Sequence, residues 1–368
     1  MRVHSLGALL LTAGLAASLS GTPAARAVVT TADAGATLTG IGPLAFGPND
    51  VLFAADPQAA AIYAFDLGTG AGAPGAADVP DLGAKLAAVL GTDAAGVAVT
   101  DMVVHPKTRN IYFAAMRGTG PSAAPALVRL DGSGRLDVVA LNGLKFTSVA
   151  LPNAPAANPQ ARRDPRTQSI TDMAFDNGQL MVAGLSNEEF ASKLRSVKYP
   201  FSNVDPGTSL EIYHGNHGAV ETRSPVYAFV PYTVGGTKQI VAGYLCTPLV
   251  TFPMASLTSA QPGARIRGTT IAELGAGNRP IDMFVYTQAG KDYLLMSNTS
   301  RGVMKIPTAT FGAAQGITAK VEATTAGVPF ETLADWKGVE QLDRVGADKV
   351  AVLAKADAGL TLRTIPLP

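Results

Sequence analysis

The sequence predicts an all-β fold, a six-bladed β-propeller, on three observations. Six segments repeat one rhythm of a short alternating strand, a tight turn and a second strand rich in β-branched and small residues. They begin at Gly42, Thr100, Thr171, Ser224, Arg279 and Gly338, and their spacing, roughly 50 to 70 residues, is that of propeller blades lengthened by loop insertions. Finally, a chain of 368 residues exceeds what one hydrophobic core usually holds unless the architecture repeats. The only cysteine, Cys246, cannot close an intrachain disulfide, so packing has to hold the fold together.

Taken in chain order, the first element is a leader. Arg2, the apolar stretch from Leu6 to about Leu19 and the A-x-A at Ala25, Arg26 and Ala27 read as a secretory signal peptide over residues 1–27, with residues 28–368 as a single propeller domain. The expected location is periplasmic or secreted, and no later stretch offers the roughly 20 apolar residues of a membrane span. The turns GPND, HPKTRN, DNGQ, VGGTK, QAGKD and VGADK each carry the Gly, Pro, Asn or Asp that a tight hairpin requires. The last repeat runs out after its third strand, at Pro368. The stretch VVTTADAGATLTG at the mature N-terminus is therefore expected to supply the missing fourth strand and close the ring, which removes an exposed edge. DLGAKLAAVLG from Asp81 reads as a short amphipathic helix, GTGAGAPG from Gly68 as a flexible connection, and SNEEFASKLR from Ser186 as a short helix capped by Asn187. The alternative architecture, a seven-bladed propeller, would need one more blade within about residues 140–170.

The repeated T-D-M start and the strand, turn, strand rhythm resemble the bacterial secreted propellers that include YVTN, NHL-like and six-bladed lactonase-type proteins. The resemblance spans the mature chain and implies fold more than chemistry. For a lactonase-type enzyme it implies metal-assisted hydrolysis, but that family's ligand motif cannot be placed here residue by residue.

In a propeller, the starts of the inner strands and the loops between second and third strands open on one face. That rule gathers candidate site residues around one mouth. Asp101, Asp172, Asp282 and Glu340 are read as equivalent strand-start acids, either ligands to a hard cation such as Ca²⁺ or acceptors of backbone hydrogen bonds from the next blade. Arg279 and Arg301 are candidates for binding an anionic group. Glu188 and Glu189 fall in the first turn of the expected helix, where the dipole favours acids without any ligand. YHGNHGAVETRSPV from Tyr213 holds two of the three histidines that follow the leader. With Cys246 from the next loop, His214 and His217 make an N,N,S set suited to Zn²⁺ or copper, or else they are ordinary loop and core residues. His214 or His217 is also the candidate catalytic base, with Arg279 and Arg301 steadying negative charge. His105, beside Pro106, reads as a turn and packing residue on the opposite face.

Charge excludes one class of partner. Removing the leader takes Arg2 and Arg26 and no acid, leaving the chain almost neutral, with no basic stripe of the kind nucleic-acid binders carry. The sequence contains no G-x-S-x-G elbow, P-loop, haem-attachment or zincin motif. Three readings stay open: a site for a small-molecule ligand or metal at the mouth, with hydrolase activity of lactonase type as one form; a non-catalytic module of a periplasmic export or redox system that docks a protein partner on the top face; and a periplasmic copper or zinc protein.

Overall fold

The structure, a computed structural model, describes Met1 and residues 29–32, 35–68, 78–202, 204, 206–258, 261, 263–357 and 359–368. The leader read over residues 1–27 lies, Met1 apart, outside the described residues. Six sheets form the ring of a six-bladed propeller. Their inner strands are Leu44–Phe46, Val97–Val104, Asp172–Asp176, Val226–Val234, Pro280–Gln288 and Val339–Val345, one in each of the six repeats. No seventh blade forms in residues 140–170, where the structure has the strand Phe146–Ala150 followed by a long loop.

The ring is not built in chain order. The inner strand of the second repeat, Val97–Val104, sits between those of the first and the sixth, and the first repeat meets the third on its other side. Around the ring the order is first, third, fourth, fifth, sixth, second. The chain leaves the first blade after three strands, at Asp66, and contributes Val79 as a bridge to Leu362 on the edge of the sixth. It forms the helix Leu82–Leu90 against that edge, builds the second blade, and returns with Phe146–Ala150 as the first blade's fourth strand. The expected ring closure is therefore corrected. Val29–Ala32 pairs with Phe146–Val149 as a fifth, outermost strand of the first blade, while the sixth blade is capped from residue 79. The physical demand, an edge that needs a partner, was read correctly, but the chain meets it with a different segment.

Packing follows the same circle. Apolar residues group into six clusters among the described residues, one at each interface between neighbouring blades. Second strands such as Val51–Asp56 and Gln179–Leu185 are buried on both faces, which explains their continuous runs of small and β-branched residues. The helix expected from Asp81 is present and ends on Gly91 in the left-handed conformation.

The second expected helix is absent. Ser192–Lys198 is instead the third strand of its blade, paired along its whole length with Gln179–Leu185. The i, i+4 spacing of Phe190 and Leu194 imitated a helix, but a strand in the middle of a sheet gains a ladder of hydrogen bonds on both edges, which overrides weak local propensity. Glu188 and Glu189 consequently have no helix dipole. Glu188 accepts a hydrogen bond from Asn153 (2.6 Å) and pairs with Lys193, which is fully buried.

Candidate functional site

At the start of four of the six inner strands one residue bulges out of the pairing register: Thr100, Tyr227, Ile281 and Glu340. Thr171 holds the same place just before its strand, its amide bonded to Ala183. A bulge re-aims the chain, so this residue turns toward the mouth while the next one faces the channel. All five line the opening. The channel-facing position is then Asp101, Asp172 and Asp282 in alternate blades of the ring, with Ala228 and Gln341 in two of the blades between them. Glu340 was expected to be the fourth equivalent acid; the bulge shifts the register by one, so Gln341 takes that place and Glu340 lies at the rim.

The three aspartates act alike. Asp101 accepts from the amides of Met102 (2.8 Å) and of Leu44 in the adjoining blade (2.6 Å). Asp172 does the same with Met173 (2.7 Å) and Phe229 (2.6 Å), and Asp282 accepts from Leu342 at 3.0 Å. Two residues beyond Gln341 on the same strand, Asp343 ties Val104 of the neighbouring blade at 2.6 Å. Each carboxylate thus fastens its blade to the next. In the amide orientation that satisfies this network, Gln341 donates to both Asp282 Oδ2 and Asp101 Oδ1, each at 3.1 Å. Burial pushes Asp101, Asp172 and Asp282 well above the ordinary carboxylate range, and their mutual repulsion adds to it.

Above these acids lies a mouth of about 1640 Å³. Among the described residues its lining includes Arg162, Arg163, Arg279, Arg301, Lys337 and Lys355 against the acids Asp164 and Glu340. None of the six cations forms an ion pair among the described residues. Asp164 is engaged with its own loop, accepting from the amides of Asn158 and Arg166.

Local structure fixes the cations. Arg279 directly precedes its inner strand, and its backbone is held on both sides by Thr299, at 3.0 and 3.1 Å. Its guanidinium carbon stands 5.0 Å from the centre of the Tyr227 ring, and the Tyr227 hydroxyl donates to Gln168 (3.0 Å). Burial pulls the Arg279 pKa down, and the like charge of Arg163 pulls the same way. Arg301 donates to the Ala276 carbonyl at 3.2 Å. It packs on Gly275, whose φ of +118° and lack of a Cβ make the approach possible. Arg162 and Arg163 ride on the loop after Phe146–Ala150, which Arg166 pins to the first blade through the Gln58 carbonyl while it also donates to the loop's own Pro155 carbonyl. Trp336, next to Lys337, adds an aromatic wall.

The shared-mouth expectation for the histidines is overturned. Arg279 and Arg301 line the mouth, but His214, His217 and Cys246 do not. His214 ends Thr208–His214, the outer strand of the third blade, at the rim of the disk. Its neighbours are His217 and Glu221, and Cys246 is not in that group. Cys246 instead occupies a left-handed turn position, its amide bonded to Asn278. His105 meets its expectation as a packing residue: Nδ1 accepts from the amides of Lys107 and Thr108, Nε2 lies 3.3 Å from Asp50, and Phe46 packs edge-on.

Sequence reading missed Arg162, Arg163, Lys337, Lys355 and Glu221. The adjacent ARRD of residues 161–164 was an available signal, but it reaches the mouth only because the preceding strand completes the first blade.

No family model and no curated protein matches the chain. Solved structures similar to it include one of a mitotic checkpoint complex, at 10% identity and TM-score 0.38, spanning 100% of this chain and 99% of that one. Another is a putative oxidoreductase (glucose dehydrogenase) from Thermus thermophilus, at 14% identity and TM-score 0.31, spanning 92% and 100%. A third is the PQQ-bound aldose sugar dehydrogenase of Streptomyces coelicolor, at 12% and 0.26, spanning 94% and 100%. None of these carries an argument about what this chain binds or does.

Proposed function

We propose that the protein is an exported binding protein whose mouth takes a small anionic molecule. One observation carries this reading: six cationic side chains from five segments of the chain line one concavity, and among the described residues none is paired with a carboxylate. Gathering like charges costs energy, and an anion with two or more carboxylate or phosphate groups offsets it. Arg279 and Arg163 are the central pair, with planar forks suited to such groups. Arg301, Lys337 and Lys355 widen the field, and Tyr227 and Trp336 offer flat apolar contact. Export rests on the leader motif at residues 1–27. The acids of the channel, already accepting backbone amides, are read as fasteners rather than as ligands of Ca²⁺, and no hydrolytic step is assigned to them.

Calorimetric titration with citrate and with inorganic phosphate tests the reading. At least one should bind the natural protein saturably and weaken as salt is raised. Arg163→Ala with Arg279→Ala should weaken it tenfold or more, as expected for about 1.5–3 kcal/mol per charge-assisted bond. Binding of neither anion, or equal binding by the double variant, would overturn the proposal in favour of a module that docks a protein partner on this face.

A further inference from the structure

We propose that His214, His217 and Glu221 form a site for a divalent transition-metal ion at the rim of the third blade, with Glu273 orienting His214 from behind. The site is separate from the mouth and does not depend on the reading given for it.

The two histidines belong to a hairpin. Thr208–His214 pairs antiparallel with Ala219–Glu221, so that Ile212 lies opposite Glu221. Side chains alternate along a strand, which puts His214 on the same face as Ile212 and therefore diagonal to Glu221. The turn folds His217 over His214, with ring centres 3.7 Å apart. Both Nδ1 atoms aim at one carboxylate oxygen, Glu221 Oε1, at 3.0 Å from His214 and 2.6 Å from His217. The three donor atoms lie within 4.8 Å of one another. Tetrahedral Zn²⁺, with bonds of about 2.0–2.2 Å, asks for ligand atoms about 3.3 Å apart. Small side-chain rotations reach that spacing without moving the backbone.

A second observation comes from behind His214. Glu273 ends the strand Thr269–Glu273 of the fourth blade and is fully buried. One of its oxygens accepts from the Gly215 amide. The other, Oε2, lies 3.8 Å from His214 Nε2, and these two buried atoms have no hydrogen-bond partner among the described residues. With a metal at Nδ1, the Nε2 proton would point at Glu273 Oε2, the carboxylate–histidine–metal arrangement that fixes ligand orientation.

The hairpin is also held in place. The Val321 amide donates to the Gly215 carbonyl at 2.9 Å. A Cβ on Gly215 would come within 2.8 Å of Val321 and 2.9 Å of Ile317, so the chain packs down only because a glycine follows His214. The His217 side chain is 50% exposed, which gives an ion a path from solvent. Two imidazoles and one carboxylate suit Zn²⁺ and its neighbours rather than Ca²⁺, which wants six or more oxygens. The N,N,O set replaces the N,N,S set expected from the sequence.

The test is calorimetric titration of the chelator-stripped mature protein with ZnCl₂, with metal analysis of the product. One Zn²⁺ per chain is expected. His217→Ala, at a half-exposed position where the fold does not depend on it, and Glu221→Gln should each weaken binding at least tenfold. Glu273→Gln should weaken it about tenfold, the loss typical of a second-layer partner, and Cys246→Ser should leave it unchanged. The proposal is overturned by absence of saturable binding, by His217→Ala binding as tightly as the natural protein, or by loss of the site in Cys246→Ser.

Discussion

Replacing Asp343 with Asn should make the protein's stability less sensitive to pH between about 4 and 7. Asp343 lies in the channel, accepting from the amides of Val104 (2.6 Å) and Arg344 (2.7 Å). Burial raises its carboxyl to about 6 from an ordinary 3.8. The folded chain therefore holds this proton more tightly than the unfolded chain. The stability linked to it is complete below about pH 3.8 and is lost as pH rises through 6. Two units at about 1.4 kcal/mol each set a ceiling near 3 kcal/mol, and partial contact with water in the channel brings the expected value to about 2 kcal/mol. His105 works in the opposite direction, because burial lowers its pKa and stability is lost as it is forced to protonate, so the natural protein alone would give a mixed curve. The useful quantity is the difference between natural protein and Asp343→Asn, from urea unfolding at four pH values between 4 and 7 at constant ionic strength. It should shift by about 2 kcal/mol in favour of the variant as pH rises. A difference that stays flat across that range would refute the assignment of a retained proton to Asp343.

Two further expectations concern the ring. Gln341→Ala removes the amide between Asp101 and Asp282 and should destabilise the fold by roughly 1–3 kcal/mol, more at pH 7.5 than at pH 5, as seen in urea midpoints; equal loss at both pH values would argue against the bridge. Deleting residues 28–34 removes only a fifth, outermost strand and should change the melting temperature little, whereas Val79→Asp places a charge in the core at the edge of the sixth blade and should lower it by about four degrees, on the order of 3 kcal/mol. The reverse ranking in a thermal melt would restore closure by the N-terminal strand.

Blade count, the six inner strands, their hairpin turns and the helix after Asp81 were legible in the sequence because each is written in local chemistry: alternation of period two, glycine or asparagine where a turn needs it, an apolar stripe before Gly91. That acids repeated at strand starts need a cation or backbone donors was legible too; the structure supplies donors, the neighbouring blade's amides. The segment order was not. No local signal says that the second repeat inserts between the sixth and the first, or that residues 79 and 146–150 complete blades far from them in sequence. That choice is made by which open edges meet when the ring closes. The same holds for the sites. The sequence by itself determined that His214 and His217 share a loop, and that Arg279 precedes an inner strand while Arg301 follows the second strand of the same blade. Only the tertiary structure decided that the histidines turn outward to Glu221 and Glu273 while the arginines meet Arg162 and Arg163 across the mouth. A one-residue bulge and one rearranged strand separate those outcomes, and both are settled by long-range pairing rather than by neighbours along the chain.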